Sequence, residues 1–206
     1  CDVWRNSYDR WWNEFKDSKL IMTNRKRCAW AEGNEIMEKY HDNEWGKPVH
    51  DDNVHFEFLI LEAAQAGLSW LTVLKKREGY RKAFVNFNVK KVATFTQQDV
   101  ERLMKNPEII RNRLKIESTI TNAQAFINIQ KEWGSFDKYL WNFVEGKPQI
   151  HNIHSIKDIP ATAPLSDKVS KDLKKRGFRF VGSTIIYAHL QAVGIVNDHE
   201  MSCFCK

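Results

Sequence analysis

Residues 59–74, "LILEAAQAGLSWLTVL", decide how the rest of the chain is read. The run is apolar almost all the way round, as a buried central helix must be, yet it carries Glu62 and Gln65. An ionised carboxylate inside a protein is costly unless it is paired or serves a purpose. Phe56, Leu59, Ile60 and Ala63, then Gly67 and Leu68, keep i, i+3, i+4 spacing, which predicts a helix over 54–65. At about 100° per residue Glu62 shares a side with Phe58 and Gln65. Ser69 falls on that side too, and Trp70 follows the break at Gly67. In a central helix these residues would turn a carboxylate, an amide, a hydroxyl and an indole into one cavity. Such a cleft suits a flat polar ligand, including a cationic one. The competing reading is a glutamate at an exposed helix edge, paired with a lysine, and the pattern alone does not separate the two.

Outward from that segment the periodicity stays helical. "TQQD" (96–99) reads as a capping box opening a helix through Leu103 and Met104, and "NPE" (106–108) interrupts it. A second run is predicted from Ile109 to about residue 130, and "FDKYLWNFV" (136–144) is a short amphipathic helix. "IPATAP" (159–164) is a loop, Ser166 reads as the N-cap of a helix to Arg176, and Gly177 suits the C′ position. A last helix is expected between Gly182 and Gly194. With no strand alternation and no repeat, the chain reads as all-α. Trp4, Tyr8, Trp11 and Phe15 form an aromatic stripe in residues 1–21, which read as an extension ahead of a domain spanning 22–206.

The 206 residues suffice for one sizeable core. No window offers a transmembrane span, and no basic segment followed by an apolar one reads as a secretory signal. Four cysteines are too few for a disulfide scaffold, so a reducing cytoplasm is expected. The net charge of +6 is concentrated in "LKKREGYRK" (74–82), "RNRLK" (111–115) and "KDLKKRGFR" (171–179). Basic blocks suit a polyanion such as nucleic acid, although each alone reads equally as a solvated helix face. Eight tryptophans provide aromatic area for a core or for stacking on bases.

"YHDNEWG" (40–46) holds His41, thirteen residues after Cys28, and "NDHEMSC" (197–203) places His199 and Cys203 one helical turn apart. Two imidazoles and two thiols would make a closed tetrahedral zinc site, structural rather than catalytic, stapling the two ends of the chain. Isolated core histidines and spare thiols are the other reading of that spacing. A zinc hydrolase or deaminase would need an open metal position and an H-x-E…P-C-x-x-C signature, which is absent.

"YHDNEWG", "QAGLSW" and "KKRGFRFVG", in this order, resemble the DNA-3-methyladenine glycosylase I family from about Cys28 to Cys203. The resemblance implies a two-lobed, all-α helix-hairpin-helix glycosylase fold. It implies hydrolysis of the N-glycosidic bond of N3-methyladenine in alkylated double-stranded DNA, with the free base as product. It assigns a structural Zn2+ to Cys28, His41, His199 and Cys203, and the base pocket to Tyr40, Trp45, Glu62, Ser69 and Trp70, with Gly67 and Leu68 shaping its wall. Glu62 then reads as the catalytic, base-reading carboxylate. No lysine stands out as a Schiff-base nucleophile, so a monofunctional enzyme without strand cleavage is expected. The hairpin is expected at "NPEIIRNR" (106–113), with Arg111, Arg113, Lys115, Lys174, Lys175 and Arg176 as phosphate contacts. The chain is expected to act as a monomer without a membrane partner. A zinc-stapled protein that binds damaged DNA without catalysis is the alternative, and the complete pocket set argues against it.

Overall fold

The computed structural model describes residues 25–206. The aromatic stripe and the boundary at residue 22 lie outside the described residues. The frame is helical, as the periodicity requires, and it is assembled around one helix. That helix, α2 (Asp52–Gln65), is preceded by α1 (Glu35–Asn43) and followed by α3 (Trp70–Ala83). Side chains of Asn34, Asp51 and Ser69 cap the three N-termini by accepting backbone N–H groups, which explains where each begins. Every residue of α2 from His55 to Ala64 is buried, the expected state of a helix apolar on all sides. It packs against α3, against α6 (Arg113–Trp133), against α7 (Phe136–Asn142) and against α9 (Ser183–Ala192). Two short helices, α4 (Val89–Val92) and α5 (Gln97–Met104), lead into α6, and α8 (Pro164–Lys175) packs on α9.

Two cations fix α2 and its neighbours. Arg77 of α3 donates to Glu57 of α2 at 2.6 Å and to Glu44, the C-cap of α1, at 2.8 Å, with its guanidinium over the Phe58 ring. Lys115 of α6 donates to the Ala64 and Ala66 carbonyls at 2.8 and 2.7 Å, satisfying acceptors that the end of α2 leaves free. Near the far end of the chain, β1 (Gln149–Ile150) pairs in parallel with β2 (Val196–Asn197).

The capping box at Thr96 and Asp99 is present, and Gly177 follows the C-cap of α8 with φ +92°. Two boundaries differ from the sequence reading. Helix α6 begins at Arg113, capped by Asn112, and not at Ile109. Ile109 is buried in the connection 105–112, where its apolar side chain mimics a helical face. Ser166 is not the N-cap of α8: Ala163 is, with Pro164 at the first helical position, and the Ser166 hydroxyl reaches back to the Ala163 N–H at 2.9 Å.

The connection 105–112 is pinned to α3. Lys76 donates to the Pro107 carbonyl at 2.8 Å, and the Ile110 N–H donates to the Tyr80 hydroxyl at 3.3 Å. Gly79 makes this approach possible, because a Cβ there would lie 2.6 Å from the Glu108 Cβ and closer still to the Glu108 carbonyl oxygen. Gly79→Ala is therefore expected to force the two segments apart and destabilise the protein by about 1–3 kcal/mol, read as a lowered Tm. An unchanged Tm would show the connection to be free to move.

Candidate active site

Between α1, α2, α3 and α9 lies a cavity of about 390 Å³, within the roughly 300–1,000 Å³ of small-molecule sites. Trp30, Tyr40, Trp45 and Trp70 form its aromatic walls, and Glu62, Gln65 and Gln191 bring its polar groups. The rings brace one another: the Tyr40 and Trp70 centroids are 5.3 Å apart, and those of Trp30 and Trp45 are 4.9 Å apart, edge to face.

Glu62 is only 4% exposed, and its Oε2 has no hydrogen-bond partner among the described residues. The surface glutamate–lysine pair is therefore excluded. Burial pushes its carboxyl up to about 8. The Tyr40 hydroxyl is driven well above its ordinary value, first by burial and then by the nearby Glu62. The Trp70 indole N–H is likewise buried without a partner. Two buried polar atoms of the chamber's lining thus stand without a partner among the described residues.

Tyr40, Trp45, Glu62 and Trp70 thus meet as the sequence suggested. Ser69 does not join them: it is exposed, caps α3, and lies 2.8 Å from the Thr72 hydroxyl. Six lining residues were not anticipated, namely Trp30, Met37, Ile156, Ile159, Ala188 and Gln191. Gln191 carried a usable signal, a polar amide on an otherwise apolar helix, as for Gln65. Ile156 and Ile159 carried none, because they lie in an irregular segment whose course no periodicity encodes.

Behind Trp45 lies a second group. The His199 ring stands 4.6 Å from Trp45, and Gly46 lets it come that close, since a Cβ at Gly46 would fall 2.5 Å from the imidazole. Ligand atoms of His41, His199, Cys203 and Cys205 all lie within 4.8 Å of one another. His41 Nδ1 is 2.8 Å from Asp42 Oδ1, which Arg27 holds in turn, and His199 Nδ1 is 3.0 Å from Asn197 Oδ1. With Nδ1 of each ring taken, Nε2 is turned toward the cluster: His41 Nε2 lies 3.4 Å from the Cys203 sulfur and accepts the Cys28 N–H at 3.4 Å, and His199 Nε2 is buried without a partner among the described residues. Imidazoles so oriented beside thiols fit a metal. The geometric group contains Cys205, which the sequence reading omitted, in place of Cys28. Cys28 is fully buried against Cys203, its sulfur accepting the Glu200 N–H at 3.3 Å.

The expected phosphate contacts divide. Arg111, Lys174 and Lys175 are exposed, with no ion pair among the described residues. Lys115 holds the end of α2, Arg113 pairs with Glu101 at 2.9 Å, and Arg176 is taken up by Asp172 and Glu132. Of these partners only Asp172, four residues before Arg176 on the same helix, could be read from spacing.

Three indoles and a phenol around one unpartnered carboxyl make an aromatic, polar-tipped cleft of the kind that binds small planar ligands. Residues 30–206 match the family model described as methyladenine glycosylase, and the chain belongs to that family. It is 47% identical over 180 residues to the DNA-3-methyladenine glycosylase 1 of Escherichia coli (strain K12), covering 87% of this chain and 96% of that protein. It is 44% identical to the DNA-3-methyladenine glycosylase of Haemophilus influenzae, over 87% of this chain and 97% of that one. A crystal structure of a 3-methyladenine DNA glycosylase I superposes with a TM-score of 0.85 at 49% identity, covering 87% of this chain and 99% of the other. The 3-methyladenine DNA glycosylase I of Staphylococcus aureus, solved to explain its 3-methyladenine recognition, superposes equally well at 39% identity, covering 87% and 96%.

Because the folded state keeps the Glu62 proton up to about pH 8, while an unfolded glutamate releases it near 4.5, folding weakens as pH rises between those values. Glu62→Gln removes the penalty. Its Tm is expected to match the wild type near pH 5 and to exceed it by roughly several degrees at pH 8.5. Parallel Tm–pH curves would show that Glu62 is not a buried, unpaired acid.

Proposed function

We propose that the protein hydrolyses the N-glycosidic bond of N3-methyladenine in alkylated double-stranded DNA, releasing the base without cutting the strand. The observation that carries this reading is the unpaired, desolvated carboxylate of Glu62 among indole and phenol faces. A base within a duplex must be flipped out before its glycosidic bond is reached. N3-methylation makes the base cationic and already a good leaving group. The protein therefore has to recognise the base and stabilise its charge more than to protonate it. Trp45 and Trp70 offer ring faces to the cation, worth roughly 0.5–2 kcal/mol. Glu62 offsets the positive charge and accepts from the exocyclic amine. Water then takes the place of the base on the sugar carbon, and the base leaves with the bonding electron pair. The connection 105–112 between α5 and α6 serves as the DNA-binding hairpin of a two-lobed helix-hairpin-helix fold, with Arg111, Lys174 and Lys175 on phosphates.

We further propose that Cys28, His41, His199 and Cys203 hold Zn2+. Backbone N–H groups support the sulfurs of Cys28 (from Glu200, 3.3 Å) and Cys203 (from Cys205, 3.4 Å), as suits thiolate ligands, and none among the described residues supports Cys205. A closed two-thiolate, two-imidazole set leaves no open position, so the metal supplies stability and not chemistry.

Free 3-methyladenine, resolved by chromatography after incubation with methylated duplex DNA, tests the reaction. Glu62→Gln is expected to cut release on the order of 100-fold, as when one preorganised electrostatic partner is lost. Wild-type kcat/KM is expected to rise with pH through about 8, because only the ionised Glu62 offsets the cation, and this rise should be absent in the variant. No release by a folded, metal-loaded wild type would overturn the enzyme reading. Metal analysis addresses the staple: about one zinc per chain in wild type and Cys205→Ser, with loss of zinc and a lowered Tm in Cys203→Ser. Zinc lost from Cys205→Ser but kept by Cys28→Ser would reverse the fourth ligand.

A further inference from the structure

Asp198 lies at the centre of a buried cluster that joins the metal-ligand segment to the cavity. It is fully buried and contacts three groups. The Tyr187 hydroxyl donates to its Oδ2 at 2.6 Å, the Gln191 amide Nε2 donates to the same oxygen at 2.7 Å, and His151 Nδ1 lies 2.7 Å from Oδ1. A carboxylate only accepts, so Gln191 must present its NH2 to Asp198. Its amide is thus denied the flip that a glutamine otherwise has. The other end of the amide, Oε1, meets no donor among the described residues, and Gln191 lines the cavity that holds Glu62. Beside the Glu62 carboxyl and the Gln65 amide, the cavity thus has in Gln191 an amide whose orientation is fixed by Asp198.

We propose that Gln191 is a specificity-determining residue, held by Asp198 as a hydrogen-bond acceptor that selects a 6-aminopurine over a 6-oxopurine. The proposal rests on the glycosylase reading above. An exocyclic amine has two hydrogens and can meet an acceptor with one of them. A C6 carbonyl would bring two lone-pair oxygens together in a desolvated site, and buried mismatches of this kind discriminate strongly. Asp198 acts through Gln191 and is a positioning residue.

Dimethyl sulfate-treated duplex DNA contains both lesions, so one incubation gives the ratio of kcat/KM for 3-methyladenine over 3-methylguanine. Gln191→Met keeps the length and removes the acceptor. Asp198→Asn can accept from as well as donate to the amide, which frees Gln191 to turn its NH2 to the cavity. Both are expected to lower the ratio by about tenfold or more, with 3-methylguanine release unchanged or raised and with wild-type zinc content and Tm. A wild-type ratio in either variant, while it remains folded and zinc-loaded, overturns the proposal. If one variant fails to fold, the other decides. Failure of the underlying reading looks different, since the wild type itself would then release neither base.

Discussion

The cost of holding the Glu62 carboxyl away from water and away from any partner is the constraint on which the rest of this structure depends. No cation among the described residues offsets it: burial alone accounts for its shift, and Arg77 of the adjoining helix is engaged by Glu44 and Glu57. Such a group persists only where the surroundings are rigid enough to prevent its escape to solvent or its capture by a lysine. The frame meets that demand at both ends of α2. Asp51 caps the start, Lys115 closes the last carbonyls, and the Arg77 bridge ties α1 and α3 to the middle. The apolar length of α2 follows from the same demand, because a helix that carries a buried acid inward must be covered on every side.

The second element of order is the meeting of the two ends of the described chain. Cys28 and His41 come from the first part, His199 and Cys203 from the last, and the parallel β1–β2 pair holds the approach of the C-terminal segment. This assembly is also a wall of the cavity. Trp45 has His199 at its back, and Asp198, one residue earlier, orients Gln191. Stability of the staple and geometry of the pocket are therefore one problem: a displacement of the 196–203 segment moves both an aromatic wall and a polar reader.

The basic blocks show where residue type stopped being informative. A lysine near an expected hairpin has the same letter whether it meets a phosphate or a carbonyl. Lys115 meets carbonyls because α6 starts beside the end of α2, while Lys174 and Lys175 face solvent. Ile109 is a similar case, buried as a helical residue would be but within a turn. Ser69 fell on the right side of an extended wheel, yet the Gly67 turn (φ +81°) ends that wheel and makes Ser69 a cap.

By itself the sequence determined the helical class, six of the helices including the central α2, and the family, because periodicity, caps and motif order are local properties written at short range; it did not single out α1, α3 or α4. It also marked Tyr40, Trp45, Glu62 and Trp70 as chemistry waiting for a cavity. Only the tertiary structure decided that Glu62 is unpaired among the described residues, that Cys205 joins the metal-type cluster, that Lys115, Arg113 and Arg176 have internal partners, and that Gln191 lines the cavity with its amide nitrogen held by Asp198. Those facts depend on which groups the packing brings together, and in a buried interior the presence or absence of a single partner sets a group's charge, its orientation and its use.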